Sequence, residues 1–361
     1  MQRIKAAVCH AFGAPLVIEE VQLRAPLAGE VQVDLAAVAI CHSDITYAEG
    51  GWGGTLPAVY GHEAAGRVSR LGPGVTGFDL GDPVVVTLIR ACGQCPSCAA
   101  GRPTGCETPP DDGAGPLLTA SGGPLHQAMA CGAFAERVVV HHSQIVKIPE
   151  GIDMAAASLL ACGVITGVGA VVNAAHLRAG EDVVVIGAGG VGLNAIQGAR
   201  IAGARRIVAV DLSEEKLATA RDFGATDGVL ATMDKPWRAA KTALGRGADV
   251  VLVTVGAARA YDAAPRYLAP GGRMIMVGMP HSGALSSYEA VNFAAAGQAM
   301  IGSKMGETVI RRDIPWMVDL HAQGRLKLDE LISRRWPLDQ INAAIADTKS
   351  GSARRNVITF D

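Results

Sequence analysis

Four cysteines lie within fifteen residues of one another in ACGQCPSCAAGRPTGC, namely Cys92, Cys95, Cys98 and Cys106. Thiolates at this spacing can surround one tetrahedral ion, with Pro96, Gly101 and Pro103 keeping the loop tight enough for the fourth to close the shell. A closed shell offers substrate no position, so the role it implies is structural. An iron–sulfur cluster is the other group four thiolates hold, and the tight spacing favours zinc. A second set is dispersed: Cys41 in CHSD, His62 in GHE and Cys162 in LLACG. Two thiolates and an imidazole would make a three-ligand zinc site with its fourth position open, as Lewis-acid catalysis requires. Spacing does not unite these three, and each reads equally well as an ordinary buried side chain. Asp44 can accept the second ring N–H of His62 and fix its tautomer, and Glu63 is a neighbouring carboxylate.

A third group reads as a dinucleotide site. In DVVVIGAGGVGLNAIQGARIAGARRIVAVD, an apolar run from Val183 to Ile186 precedes GAGGVG, and Asp211 stands about twenty residues further on. Gly187 permits the tight turn, Gly189 lets the backbone approach a pyrophosphate, and Gly192 allows the next helix to pack on the strand. Gly190 and Val191 complete the turn and open that helix, whose free N–H groups face the phosphates. Asp211 can accept both adenosine ribose hydroxyls and would repel a 2′-phosphate, favouring NAD over NADP. With 45 glycines in 361 residues a GxGxxG arises easily by chance. The strand before it, the helix after it and the acid beyond supply the context that chance lacks. Ser213 with Glu214, Glu215 and Lys216 reads as a helix start, and Lys216 is also counted among the cofactor-binding candidates.

Elements must hold these groups. The length predicts two domains. Residues 4–38 alternate short apolar runs with Gly and Pro and read as β-rich, and Ser43 could cap a short helix after them. GHEAAGRV reads as a strand, residues 91–131 as a loop lobe, and FAERVVVHHSQIVKIP as strand again. After Pro149 a helical stretch leads into alternating strands and helices from Glu181 onward, which predicts a right-handed, doubly wound parallel sheet. At 49% hydrophobic, 18% charged and a net charge of −2 without a long basic run, nucleic acid and anionic membrane are not the expected partners. The N-terminus shows no signal-like apolar core, and no run of eighteen uninterrupted apolar residues occurs, so the expected location is the cytoplasm. Eight cysteines there point to metal ligands or free thiols rather than disulfides.

CHSD, GHEAAGRV, the CGQCPSC lobe, LLACG, GAGGVG with Asp211, and VGMP follow the order and spacing of the zinc-dependent medium-chain alcohol dehydrogenases, and the resemblance covers essentially the whole chain. CHSDITYAEGG and GRLKLDELI are most similar to the longer members that include the thiol-dependent formaldehyde dehydrogenases. The resemblance implies a GroES-like catalytic domain over residues 1–163, with its zinc lobe at 91–107, a Rossmann NAD-binding domain over 164–303, and a return to the first domain over 304–361. It implies two zinc ions: a catalytic one on Cys41, His62 and Cys162 and a structural one on Cys92, Cys95, Cys98 and Cys106. Ser43 would bond the alcohol and take its proton, with Asp44 and Glu63 supporting the ligands. His42 and Arg355 would contact the cofactor pyrophosphate, Asp211 the ribose, and backbone at Val277, Gly278 and Met279 the nicotinamide. Trp52, Leu88, Ala128 and Met279 fall near pocket positions, an apolar set suited to primary aliphatic or aromatic alcohols. Oxidation of such an alcohol, or reduction of its aldehyde, is the implied reaction, with S-(hydroxymethyl)thiol oxidation as the alternative and a non-catalytic zinc and nucleotide binder as a remote one. A homo-oligomer, a dimer before a tetramer, is the implied assembly. Many relatives complete the proton relay with a histidine where this chain has Thr46, a hydroxyl that can pass a proton but not hold one. Residues 111–131 read as an active-site gate or an inert loop. His126, His141 and His142 read as surface residues rather than ligands.

Overall fold

The computed structural model describes residues 1–108 and 115–360. Two compact units each enclose their own core. The first comprises Met1–Cys162, Val309–Gly324 and Leu328–Asp361, and the second Gly163–Thr308 with Arg325–Lys327.

The first unit is β-rich, as its short apolar runs require. Among the described residues a five-stranded sheet runs in the order Leu117–Thr119, Val17–Leu23, Gln2–Cys9, Ala58–Val59, His126–Gln127. A seven-stranded sheet runs Ile145–Lys147, Pro83–Thr87, Glu63–Leu71, Glu30–Ala39, Arg355–Thr359, Ile332–Pro337, with Arg137–His141 also paired to Glu30–Ala39. Alternating residues from these strands, among them Val8, Val33, Val38, Val84, Val86, Phe134 and Ile358, bury one continuous apolar core. Burial of this kind stabilises by roughly 25 cal/mol per Å² of apolar surface. The final strand pairs antiparallel with Glu30–Ala39, Val357 opposite Ala39, and so holds the segment that leads directly into Cys41.

The second unit is a six-stranded parallel sheet in the order Asp227–Leu230, Arg206–Asp211, Asp182–Ile186, Ala248–Val253, Leu268–Met276, Ala299–Gly302. By chain position this is the 3-2-1-4-5-6 order of the Rossmann fold. Val183, Val184 and Val185 are fully buried, because a central parallel strand has helices on both faces. The second unit runs to Thr308. Thr308 Oγ1 donates to the carbonyl of Ile165 (3.3 Å), and Asn173 Nδ2 to that of Gly306 (3.1 Å), tying Met305–Thr308 to the helical stretch that begins the unit. Among the described residues no single helix is long and apolar enough to cross a membrane.

Candidate active site and nucleotide-binding turn

The dispersed ligand set converges. Cys41, His62, Glu63 and Cys162 each offer a ligand atom within 4.8 Å of the others, and all four are buried. Cys41 stands at the start of the short helix His42–Ala48, and His62 and Glu63 stand at the start of the Glu63–Leu71 strand. Asp44 links the two elements. Its Oδ1 accepts from His62 Nδ1 (2.9 Å) and from Gly61 N–H (2.9 Å), and its Oδ2 accepts from Cys41 N–H (3.1 Å). With Nδ1 bonded to Asp44, Nε2 is the ring nitrogen of His62 left to face a ligand once it is free of a proton, and that atom is buried and has no hydrogen-bond partner. A buried imidazole nitrogen without a partner beside two thiols is a donor set that suits zinc. The helix begins two residues earlier than a Ser43 cap would place it: Cys41 is the cap residue, because Asp44 already serves its N–H. Ser43 lies half-buried two residues past Cys41, and His42 is exposed.

Electrostatics inside the cluster is strongly coupled. Cys41 is held well below the ordinary thiol range by the Cys162 thiol and by His62, against burial, while the same pairing and burial push Cys162 well above it. Burial works to lower His62, but the adjacent Asp44 carboxylate outweighs it and raises the imidazole well above its usual value. Burial lifts Glu63 to about 8 even though Arg355 opposes it. Arg355 is itself buried, 3.3 Å from Glu63, and also donates to the carbonyl of Ile40 at 3.4 Å. Arg355, expected at the pyrophosphate, thus also has Glu63 as an internal neighbour. The Thr46 hydroxyl donates to the carbonyl of His42 one turn back (2.9 Å), a common habit of helical threonines.

The four-cysteine lobe also fits an ion. All four sulfurs lie within 4.8 Å of one another, and Cys92–Cys98 and Cys95–Cys106 are each 4.0 Å apart. Zinc–sulfur bonds of about 2.3 Å give a tetrahedral edge of about 3.8 Å, whereas a disulfide needs about 2.05 Å. Backbone N–H groups already point at the sulfurs: Gln94 and Cys95 at Cys92 (3.4 and 3.3 Å), Cys98 and Glu107 at Cys95 (3.5 and 3.4 Å), and Cys92 at Cys106 (3.3 Å). A side-chain hydrogen bond from Thr108, followed by the Gln94 and Cys95 N–H groups, brings the Cys92 thiol down to about 6.

In the second unit the glycine turn has the expected form. Gly187 has φ +99°, and a Cβ on Gly192 would stand 1.8 Å from the Gly187 carbonyl, so the Gly190–Ile201 helix packs directly on the turn. A Cβ on Gly189 would meet only open space, the room a phosphate needs beside that backbone. Asp211 ends its strand with Oδ2 accepting from Ala188 N–H (2.8 Å) and Oδ1 from Ser213 N–H (3.1 Å). Its carboxylate is thereby oriented next to the turn. Ser213 caps the following helix through Lys216 N–H (3.4 Å), so the backbone of Lys216 has a structural use. The N–H groups of Val277 and Gly278 both donate to the carbonyl of Val253 (3.0 and 2.9 Å), and the Gly278 carbonyl accepts from Tyr261.

Other expected residues are scattered. Ala128 is buried, Leu88 half-buried, Trp52 packs edge-on to Tyr47 at 5.0 Å, and Met279 is 63% exposed. The His141 and His142 rings lie 4.4 Å apart at a tilt of 39°, both half-buried; His141 lines a pocket with Cys92 and Cys95, and neither histidine is among the ligand groups; His126 lies in a short strand. Part of the expected gate, 111–114, lies outside the described residues. Unforeseen was Gln144, which donates to the carbonyls of Thr87 (3.1 Å) and Ala130 (2.9 Å) and so braces the loop carrying left-handed Met129 and Ala130.

Comparison with known proteins follows the same lines. The family model "Alcohol dehydrogenase GroES-like domain" matches residues 27–150, and "Zinc-binding dehydrogenase" matches 190–323. The NDMA-dependent alcohol dehydrogenase of Amycolatopsis methanolica is 34% identical, over 99% of this chain and 98% of its own. An alcohol dehydrogenase zinc-binding domain protein from Burkholderia ambifaria superposes with a TM-score of 0.96 at 35% identity, covering 100% of this chain and 99% of that one. Benzyl alcohol dehydrogenase from Acinetobacter calcoaceticus superposes with a TM-score of 0.93 at 29% identity, covering both chains fully.

Proposed function

Because this chain belongs to the zinc-dependent medium-chain alcohol dehydrogenases and is an oxidoreductase of that family, we propose that it interconverts a primary aliphatic or aromatic alcohol and its aldehyde with NAD. The observation that carries this reading is the buried convergence of Cys41, His62 and Cys162, with His62 Nε2 left unpartnered. These three would hold one zinc ion and leave a position for substrate, and Cys92, Cys95, Cys98 and Cys106 would hold a second with none. Zinc bound there supplies Lewis acidity that acidifies an alcohol, and NAD supplies the hydride acceptor.

The chain's own residues do the rest. Asp44 fixes the tautomer of His62 and, through Gly61 and Cys41 N–H, the distance between the two ligand-bearing elements. The Ser43 hydroxyl accepts the alcohol proton and hands it to the nicotinamide ribose, and a base or water finishes the path that a histidine at the Thr46 position would complete. Asp211 orients the adenosine ribose and disfavours a 2′-phosphate. Eight free cysteines accord with a reducing compartment, and we place the enzyme in the cytoplasm.

The same reading extends to a homodimer. The Ala299–Gly302 strand is last in its sheet, the Ala290–Ala296 helix contributes no buried residue, and Leu285 and Val291 are 88% and 68% exposed. An open edge beside apolar side chains supports self-association. Sedimentation at micromolar concentration should give twice the chain mass; a monomer removes this part.

A steady-state screen of alcohols and aldehydes with NAD and NADP, with and without formaldehyde and thiols, tests the function. NAD-linked oxidation of a primary alcohol without thiol is expected. Turnover only with formaldehyde and a thiol would replace the substrate class, and NADH binding without any turnover would replace the enzyme by a binding protein.

A further inference from the structure

One polar atom in the second unit has nothing to satisfy it. Among the described residues the hydroxyl oxygen of Ser303 is buried and has no hydrogen-bond partner. Leaving such a group unpaired costs as much as losing a hydrogen bond, so a partner absent from the chain itself is implied.

Position indicates which partner. Ser303 directly follows the Ala299–Gly302 strand, and its N–H donates to the carbonyl of Met276 at 2.9 Å, at the carboxyl end of the Leu268–Met276 strand. A doubly wound sheet takes its ligand at the carboxyl ends of the strands, divided into two halves at the switch point. Asp211, the residue suited to the adenosine ribose, ends a strand of the half formed by Asp182–Ile186, Arg206–Asp211 and Asp227–Leu230. Ala248–Val253, Leu268–Met276 and Ala299–Gly302 form the other half, which falls to the nicotinamide. A carboxamide there presents an oxygen that needs a donor. The nearby Val277 and Gly278 N–H groups are both spent on Val253. The Ser303 hydroxyl is a donor at the same sheet end with no such commitment.

We propose that the Ser303 hydroxyl hydrogen-bonds the carboxamide of the nicotinamide ring and so fixes the ring's orientation. The assignment rests on the dinucleotide reading above. It predicts a split between ligands that share the adenosine half and differ in the ring. In titrations of the zinc-loaded protein, Ser303→Ala should weaken NADH about fivefold, the scale of one hydrogen bond. ADP-ribose, which lacks the nicotinamide, should bind the variant as it binds the parent, and the melting temperature of the free protein should not fall. Unchanged NADH affinity, or an equal loss for both ligands, overturns the assignment. Parent protein that binds neither ligand overturns the dinucleotide reading and this assignment with it, a result distinct from intact ADP-ribose binding without an NADH effect.

Discussion

Ser43 and Thr46 sit one turn apart on the same short helix, yet the structure gives them different work. Thr46 has its hydrogen bonded to His42, while Ser43 stands two residues past a candidate metal ligand. Ser43→Ala should therefore lower kcat by about a hundredfold or more with little change in NADH affinity, and Thr46→Ala should change kcat by less than about threefold. Stopped-flow turnover and NADH titration of both variants decide this; a Ser43→Ala enzyme of near-normal turnover removes the serine from the proton path. The back-bond of Thr46 was open to local inference, since threonines in helices commonly bond the carbonyl four residues earlier. Arg355 was not, because its partner Glu63 lies far away in sequence and only sheet pairing brings them together. A pH effect also belongs at this scale. Burial, His142 and Arg90 hold the His141 imidazole down at about 4, and its Nδ1 accepts from Ser143 N–H (3.2 Å). Between pH 6.5 and 4 the unfolded chain binds a proton that the folded chain does not, so this contribution is complete above 6.5 and is lost as pH falls through that window. Denaturation midpoints at pH 7 and pH 5 should drop less for His141→Asn than for the parent; equal drops would clear His141 of the effect.

At the level of elements, what the sequence made plain is what is local. The glycine turn, the four-cysteine lobe and the Ser213 cap are each contained in a few residues, and each is found where the sequence puts it. The union of Cys41, His62 and Cys162 depends on a sheet whose neighbours are remote in the chain, so residue spacing alone could not supply it. The strand and helix after Ser287 were likewise unread, because the helix buries none of its residues fully, the strand only half-buries Met300 and Ile301, and neither leaves a strong periodicity. At the strand end the Asp211 carboxylate orders the glycine turn by accepting from Ala188 and Ser213 N–H, and the proposed ribose contact would be its second use. Asp211→Gly should weaken NAD and narrow the preference against NADP, with the ratio of kcat/KM for the two cofactors as the readout. A parent enzyme that already prefers NADP would show that Asp211 does not set cofactor choice.

For the molecule as a whole, two ligand sets in one unit imply two ions with different duties. Metal analysis should find two zinc ions per chain. Cys98→Ser should lose one and lower the thermal midpoint, while Cys162→Ser should abolish turnover with the fold largely retained. Carefully prepared protein with one ion or none would refute the pair. The closing strand Arg355–Thr359 adds a point about timing. It lies between Glu30–Ala39 and Ile332–Pro337, Asn356 accepts from Ile40 N–H (2.9 Å), and Asn356 also takes Trp336 Nε1–H (3.1 Å). Ribosomes deliver Cys41 and His62 well before this strand. At roughly 5–20 residues per second, the parallel sheet is translated in full while the ligand-bearing sheet still lacks the strand that joins Glu30–Ala39 to Ile332–Pro337. A nascent chain stalled before Arg355 should thus show protease protection across 182–302 and none around Cys41, making the catalytic centre the last part of the molecule to mature.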